Sequence, residues 1–201
     1  MRWWEAVVRV EAGASFGTGV LICPQVVLTA AHVLVSQPGG ALPSEVRVLR
    51  VHGAQSWLGV AAFSVSTKWT GNAVDALVND LAAIRLAVPE PLHLLPEPSR
   101  AAAGKRLDGA AYGYAGGASF AGHYLRGPAM SDGVLIESTS IRPLDGMSGG
   151  PVFADLDSGP GDDFRLVGMT LWTPTSPQPQ ASIGLVLRHD LIEGVVATLG
   201  N

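Results

Sequence analysis

Apolar and polar positions along most of this chain follow the two-residue period of half-buried strands, and one clear helical stripe stands at the end. Glu45 to Val51 alternates clearly and Ala6 to Val10 weakly, while Gly19 to Leu28 is an apolar run containing a Cys23-Pro24 turn. Val60 to Val65, Leu81 to Leu86, Val134 to Ser138 and Leu166 to Trp172 complete the predicted strands. Turn clusters punctuate the pattern at Gln37-Pro38-Gly39-Gly40, Gly116-Gly117 and Ser158-Gly159-Pro160-Gly161. Many short strands at this spacing predict an all-β sandwich or barrels. From Asp190 to Leu199 the period changes. Leu191, Ile192, Val195, Val196 and Leu199 share one helical stripe, and Gly200 follows as a stop. The stretch from Val88 to Arg100 holds four prolines and little periodicity, and reads as a connector or a long surface loop.

Composition narrows the class. With 201 residues, 47% hydrophobic and only 15% charged, the chain can bury a sizeable core as one domain or two small lobes, and disorder is excluded. A net charge of -4 with no Lys/Arg run argues against a nucleic-acid partner. No apolar stretch reaches the length of a membrane span. Cys23 is the single cysteine, so no intrachain disulfide forms, and Met1-Arg2-Trp3-Trp4-Glu5 lacks the features of a signal peptide. Arg outnumbers Lys heavily, and Ala, Gly and Pro are abundant. These features together predict a bacterial protein of the cytoplasm.

Three short segments carry candidate chemistry. Leu28-Thr29-Ala30-Ala31-His32-Val33 follows the strand-like run from Gly19. Asn79-Asp80-Leu81-Ala82-Ala83-Ile84-Arg85-Leu86 sets an acid before an apolar strand. Asp145-Gly146-Met147-Ser148-Gly149-Gly150-Pro151-Val152 surrounds a serine with small residues. Singly, each has a plain reading as a core or capping histidine, a polar residue closing a turn, and a glycine turn. The combination of His, Asp and Ser is what a hydrolytic nucleophile needs, because a serine hydroxyl is activated only by a neighbouring base. Asp75 competes with Asp80 for the acid, but only Asp80 directly precedes the apolar run. His52, His93, His123 and His189 lack neighbours that suggest work, and no spacing suggests a metal site.

In this order, the three motifs resemble those of the trypsin-like serine peptidases over nearly the whole chain, from Gly17-Thr18-Gly19 to the terminal helix. The resemblance implies two packed antiparallel six-stranded β-barrels with a C-terminal α-helix. It divides the chain into a first barrel at 1–93 with His32 and Asp80, a connector at 94–106, and a second barrel at 107–201 with Ser148. It implies a serine endopeptidase with His32, Asp80 and Ser148 as catalytic triad, the N–H groups of Gly146 and Ser148 as oxyanion hole, and no cofactor. A protein or peptide would be the substrate, with further domains or a regulatory partner controlling the module. The substrate pocket would be walled by Thr170, Trp172 and Thr173, with Arg142 either at its base or in solvent. Trp172 has a second reading as a core aromatic, and Cys23 reads as a passive thiol. Two departures from the digestive relatives matter. Val33 stands where they carry a cysteine, and Met147 stands where they carry the Asp that meets a newly cut N-terminus. Activation by cleavage is therefore not expected. The alternative to an enzyme is a latent or inactive fold that binds peptides or proteins.

Overall fold

The computed structural model describes residues 3–70, 77–97, 101–115, 122–155, 165–171 and 182–200. Its first lobe is a seven-stranded antiparallel sheet made of β1 (Val7–Ala12), β2 (Ser15–Cys23), β3 (Val26–Thr29), β4 (Val46–Arg50), β5 (Ser56–Leu58), β6 (Val60–Val65) and β7 (Ala82–Leu86). The order is β5-β4-β1-β2-β3-β7-β6, so the two edges, β5 and β6, are neighbours in sequence. Only Gly59 separates them, and there the chain leaves β4 to pair with β7. The expected six-stranded first barrel is thus found as a sheet of seven strands, because the bend at Gly59 splits one strand in two.

The second lobe is a closed six-stranded barrel in the order β10-β13-β12-β11-β8-β9. Its strands are β8 (Lys105–Tyr114), β9 (Gly122–Ser131), β10 (Leu135–Ser138), β11 (Pro151–Asp155), β12 (Arg165–Thr170) and β13 (Ser182–Val186). A one-turn helix α1 (Ala31–Leu34) follows β3, and α2 (His189–Ala197) ends the fold, as the apolar stripe predicts. Helix α2 crosses back to the first lobe. Leu191 and Val195 are buried there, and the Ser64 hydroxyl of β6 donates to the Val195 carbonyl at 2.8 Å.

The lobes share one apolar core. Val8, Val20, Leu28 and Ile84 from the first sheet join Tyr114, Phe153, Met169 and Leu185 from the second in one buried cluster. A smaller cluster of Leu107, Ile136, Val152, Val167 and Val186 fills the second barrel itself. Burial of this apolar surface is the main force holding the lobes in fixed relation, at about 25 cal/mol per Å².

The N-terminal segment adds an aromatic latch. Trp3, in a 3-10 turn, meets Phe153 of the second lobe in a tilted contact at 4.6 Å and Tyr112 edge to face at 5.2 Å. On the same side, His52 Nε2 lies 2.9 Å from the Tyr112 hydroxyl. Burial pushes the Tyr112 phenol up and the His52 ring down from its ordinary 6.5, with Glu5 opposing the second shift. Tyr112 therefore donates and a neutral His52 accepts. Because the folded value is depressed, this contribution is complete above about pH 6.5 and is lost as pH falls through that region. Thermal melts between pH 8 and pH 5 should show Tm falling on the acid side in the wild type, and a flatter profile in His52→Gln. Parallel profiles would remove His52 from the account.

Candidate active site

His32 is placed by local backbone need. Thr29 ends β3, Ala30 remains extended, and α1 begins at Ala31, so the His32 N–H is one of the unpaired donors at a helix start. The Asp80 carboxylate, on the segment just before β7, accepts that N–H through Oδ1 at 2.9 Å. Its other oxygen, Oδ2, accepts from His32 Nδ1 at 2.6 Å. One carboxylate thus holds both the backbone and the ring of the same histidine. A carboxylate only accepts, so Nδ1 carries the proton and Nε2 is the basic nitrogen of the neutral ring. The Asp80 side chain is 8% exposed and that of His32 27%, so the acid is shielded while the ring reaches the surface. Asp75 lies outside the described residues.

Ser148 stands on a loop that runs into β11. Leu144 to Met147 forms a turn closed by the Met147 N–H donating to the Leu144 carbonyl at 3.0 Å. Gly146 is the third residue of that turn with φ +94, the left-handed value that a type II turn requires and that favours glycine. Among the described residues, neither the Gly146 N–H nor the Ser148 N–H has an acceptor. Two unpaired donors two residues apart, on a turn held by its own hydrogen bond, form an arrangement that can receive a developing negative charge. Met147 is fully buried, against Ala111, Ala115, Ile141 and Leu125, and its sulfur accepts the Leu144 N–H at 3.4 Å.

The two halves of the site meet closely. The Thr18 N–H of β2 donates to the Ser148 carbonyl at 2.8 Å. A Cβ on Gly17 would lie 2.6 Å from Val33 and 2.9 Å from the Ser148 carbonyl oxygen, so the histidine helix and the serine loop press on the same backbone. Gly149, with φ +82, fits under the Thr18 carbonyl and the Thr29 hydroxyl, and any side chain there would collide with both. The Ser148 hydroxyl donates to the Leu171 carbonyl at 3.2 Å, and no hydrogen bond joins it to His32 among the described residues. In unliganded sites such catalytic contacts are often long and tighten only with substrate. The Leu171 carbonyl has no signature in the sequence, because backbone acceptors leave none.

The expected substrate residues are divided. Thr170 is 1% exposed, and both its backbone groups bond to the serine loop, N–H to Gly150 at 2.7 Å and carbonyl from Gly149 at 2.8 Å. Among the described residues its hydroxyl has no partner, and Thr170 lines a cavity of about 20 Å³ together with Ser138, Ile141, Pro143 and Gly184. That volume suits one water, not a large side chain. Arg142 is exposed and does not line the cavity. Trp172 and Thr173 lie outside the described residues. A buried hydroxyl without a partner is destabilising by about 1–3 kcal/mol. Thr170→Val should therefore raise Tm by about 2–4 °C for each kcal/mol recovered. A fall in Tm would mean that an ordered water satisfies the hydroxyl.

Among the described residues, no three His, Cys, Asp or Glu side chains are grouped to hold a metal, and no helix is long and apolar enough to cross a membrane. No curated protein matches the sequence. Among solved structures, a Glu endopeptidase in complex with MPD shares 15% identity and a TM-score of 0.73, over 100% of this chain and 93% of that one. Residues 17–169 match the family described as the trypsin-like peptidase domain, a span that holds His32, Asp80 and Ser148. The chain belongs to the trypsin-like peptidase family.

Proposed function

We propose that the protein is a serine endopeptidase acting through an acyl-enzyme, with His32 as base, Asp80 as its orienting acid and Ser148 as nucleophile. The observation that carries the reading is the double grip of Asp80 on His32, through Nδ1 at 2.6 Å and the backbone N–H at 2.9 Å. A ring so fixed offers Nε2 to take the Ser148 proton as Oγ attacks the scissile carbonyl carbon. The carbonyl π electrons move to oxygen, and the unpaired N–H groups of Gly146 and Ser148 receive them. The imidazolium then gives its proton to the leaving amine as the C–N bond breaks, and water repeats the sequence to free the acid. A peptide would bind as an extended strand in the cleft, with Thr170, Trp172 and Thr173 as the residues that the resemblance assigns to its pocket and the exposed Arg142 in solvent. Further domains or a regulatory partner would set when the module acts.

The second reading is a latent or inactive fold that binds peptides or proteins, with the Ser148 hydroxyl resting on the Leu171 carbonyl at 3.2 Å. A fluorescent fluorophosphonate separates the two, because it phosphonylates only an activated serine. Labelling of wild type, lost in Ser148→Ala and in His32→Ala, supports the enzyme. Silence of the wild type alone and with peptide substrates present favours the latent fold.

A further inference from the structure

The turn that presents the Gly146 N–H is held from the opposite lobe by a side chain the triad does not include. Thr18 is fully buried in β2, the strand paired with β3, which leads to His32. Its Oγ1 donates to the Gly146 carbonyl at 2.8 Å and accepts the Tyr114 N–H at 3.0 Å. Its N–H donates to the Ser148 carbonyl at 2.8 Å, and its own carbonyl accepts from the Thr29 hydroxyl at 2.8 Å. Every polar atom of this residue is engaged, and two of the four bonds end on the loop that carries the nucleophile.

We infer that the Thr18 hydroxyl is a positioning residue for the oxyanion hole, an inference that rests on the peptidase reading above. The peptide plane between Gly146 and Met147 is held at both ends, its carbonyl by Thr18 and its N–H by the Leu144 carbonyl at 3.0 Å. The Gly146 N–H belongs to the next plane toward the N-terminus. With the following plane fixed, that N–H turns away only if Gly146 gives up its φ of +94. The second anchor, from the Thr18 N–H to the Ser148 carbonyl, fixes the plane just after the nucleophile. The donors therefore lie on a loop pinned at both carbonyls, which is the preorganisation that makes such donors effective. Backbone pairing alone cannot supply the first pin. It needs a side chain at position 18 that donates to Gly146 and accepts from Tyr114 at once, which a hydroxyl does and an aliphatic side chain does not.

The test compares Thr18→Val, which keeps the shape and removes the hydroxyl, with Thr18→Ser, which restores it. On a peptide substrate, assayed well below each variant's Tm, Thr18→Val should lose about 10- to 100-fold in kcat, somewhat less than deletion of an oxyanion donor. KM should change less than about threefold, because the ground-state carbonyl gains little from the hole. Affinity for a peptide aldehyde, whose adduct carries the oxyanion, should fall in step with kcat, and Thr18→Ser should recover most of both. A Thr18→Val variant with wild-type kcat, or one whose KM rises while kcat holds, would overturn the inference. Amide exchange of Met147 and Tyr114 reads the anchor without turnover. Faster exchange in Thr18→Val than in Thr18→Ser supports it, and equal exchange sinks it. If the wild type hydrolyses nothing while exchange still separates the variants, the peptidase reading has failed and the anchoring role of Thr18 stands.

Discussion

Ser148→Ala should lower kcat on a peptide substrate by about 10⁴- to 10⁶-fold while leaving Tm within a few degrees of wild type. The hydroxyl makes one 3.2 Å bond to the Leu171 carbonyl, so its loss removes little from the fold. His32→Ala should fall into the same range, and the double variant should be no slower than either single one, because in the proposed mechanism base and nucleophile act on one proton. Asp80→Asn is the more discriminating change. Its amide keeps an oxygen for the His32 N–H but can present N–H donors to the ring, which then carries its proton on the wrong nitrogen. A loss of about 10⁴-fold with the melting curve preserved is expected. Steady-state kinetics and calorimetry on the same preparations decide the matter. A Ser148→Ala variant as active as wild type would end the assignment.

The second large effect concerns Met147. In digestive relatives an acid at this position meets a new N-terminal amine, so Met147→Asp looks like a step toward the familiar enzyme. Here it should be severe. Met147 is 0% exposed among Ala111, Ala115, Ile141 and Leu125, all apolar. A carboxylate buried there without a partner is expected to destabilise by about 3–5 kcal/mol. At about 2–4 °C per kcal/mol, that corresponds to a Tm lowered by about 6–20 °C. The loss should shrink as pH falls and the carboxyl takes up its proton. Met147→Leu should change stability by less than about 1.5 kcal/mol. If Met147→Asp melts with wild type, the turn is not anchored by apolar burial.

These residues also mark how far the sequence could be read. Motifs that need particular side chains, around His32, Asp80 and Ser148, stand in one order, and the apolar runs of β3, β6 and β7 are plain. The two longest strands, β8 and β9, are not. Gly109, Gly113, Gly127 and Pro128 interrupt any alternation and read as turn residues, yet Lys105 to Tyr114 pair without a break to Ser131 to Gly122. The glycines there are places of close approach. A Cβ on Gly113 would lie 2.9 Å from the Met147 backbone, and one on Gly127 2.8 Å from Ser140. Such demands come from another element and leave no periodic trace. Thr18 is similar. Its neighbours Gly17 and Gly19 draw notice, but only the placement of Gly146 and Tyr114 shows what its hydroxyl is for.

The bend at Gly59 carries a consequence of its own. A sheet edge offers unpaired N–H and C=O groups on which another chain can stack, and proteins protect such edges with charges, prolines or bulges. In the first lobe the two edges, β5 and β6, are consecutive pieces of one strand bent at Gly59. Each outer edge is therefore short, three residues in β5 and six in β6, which limits the row of backbone groups that a second molecule could copy.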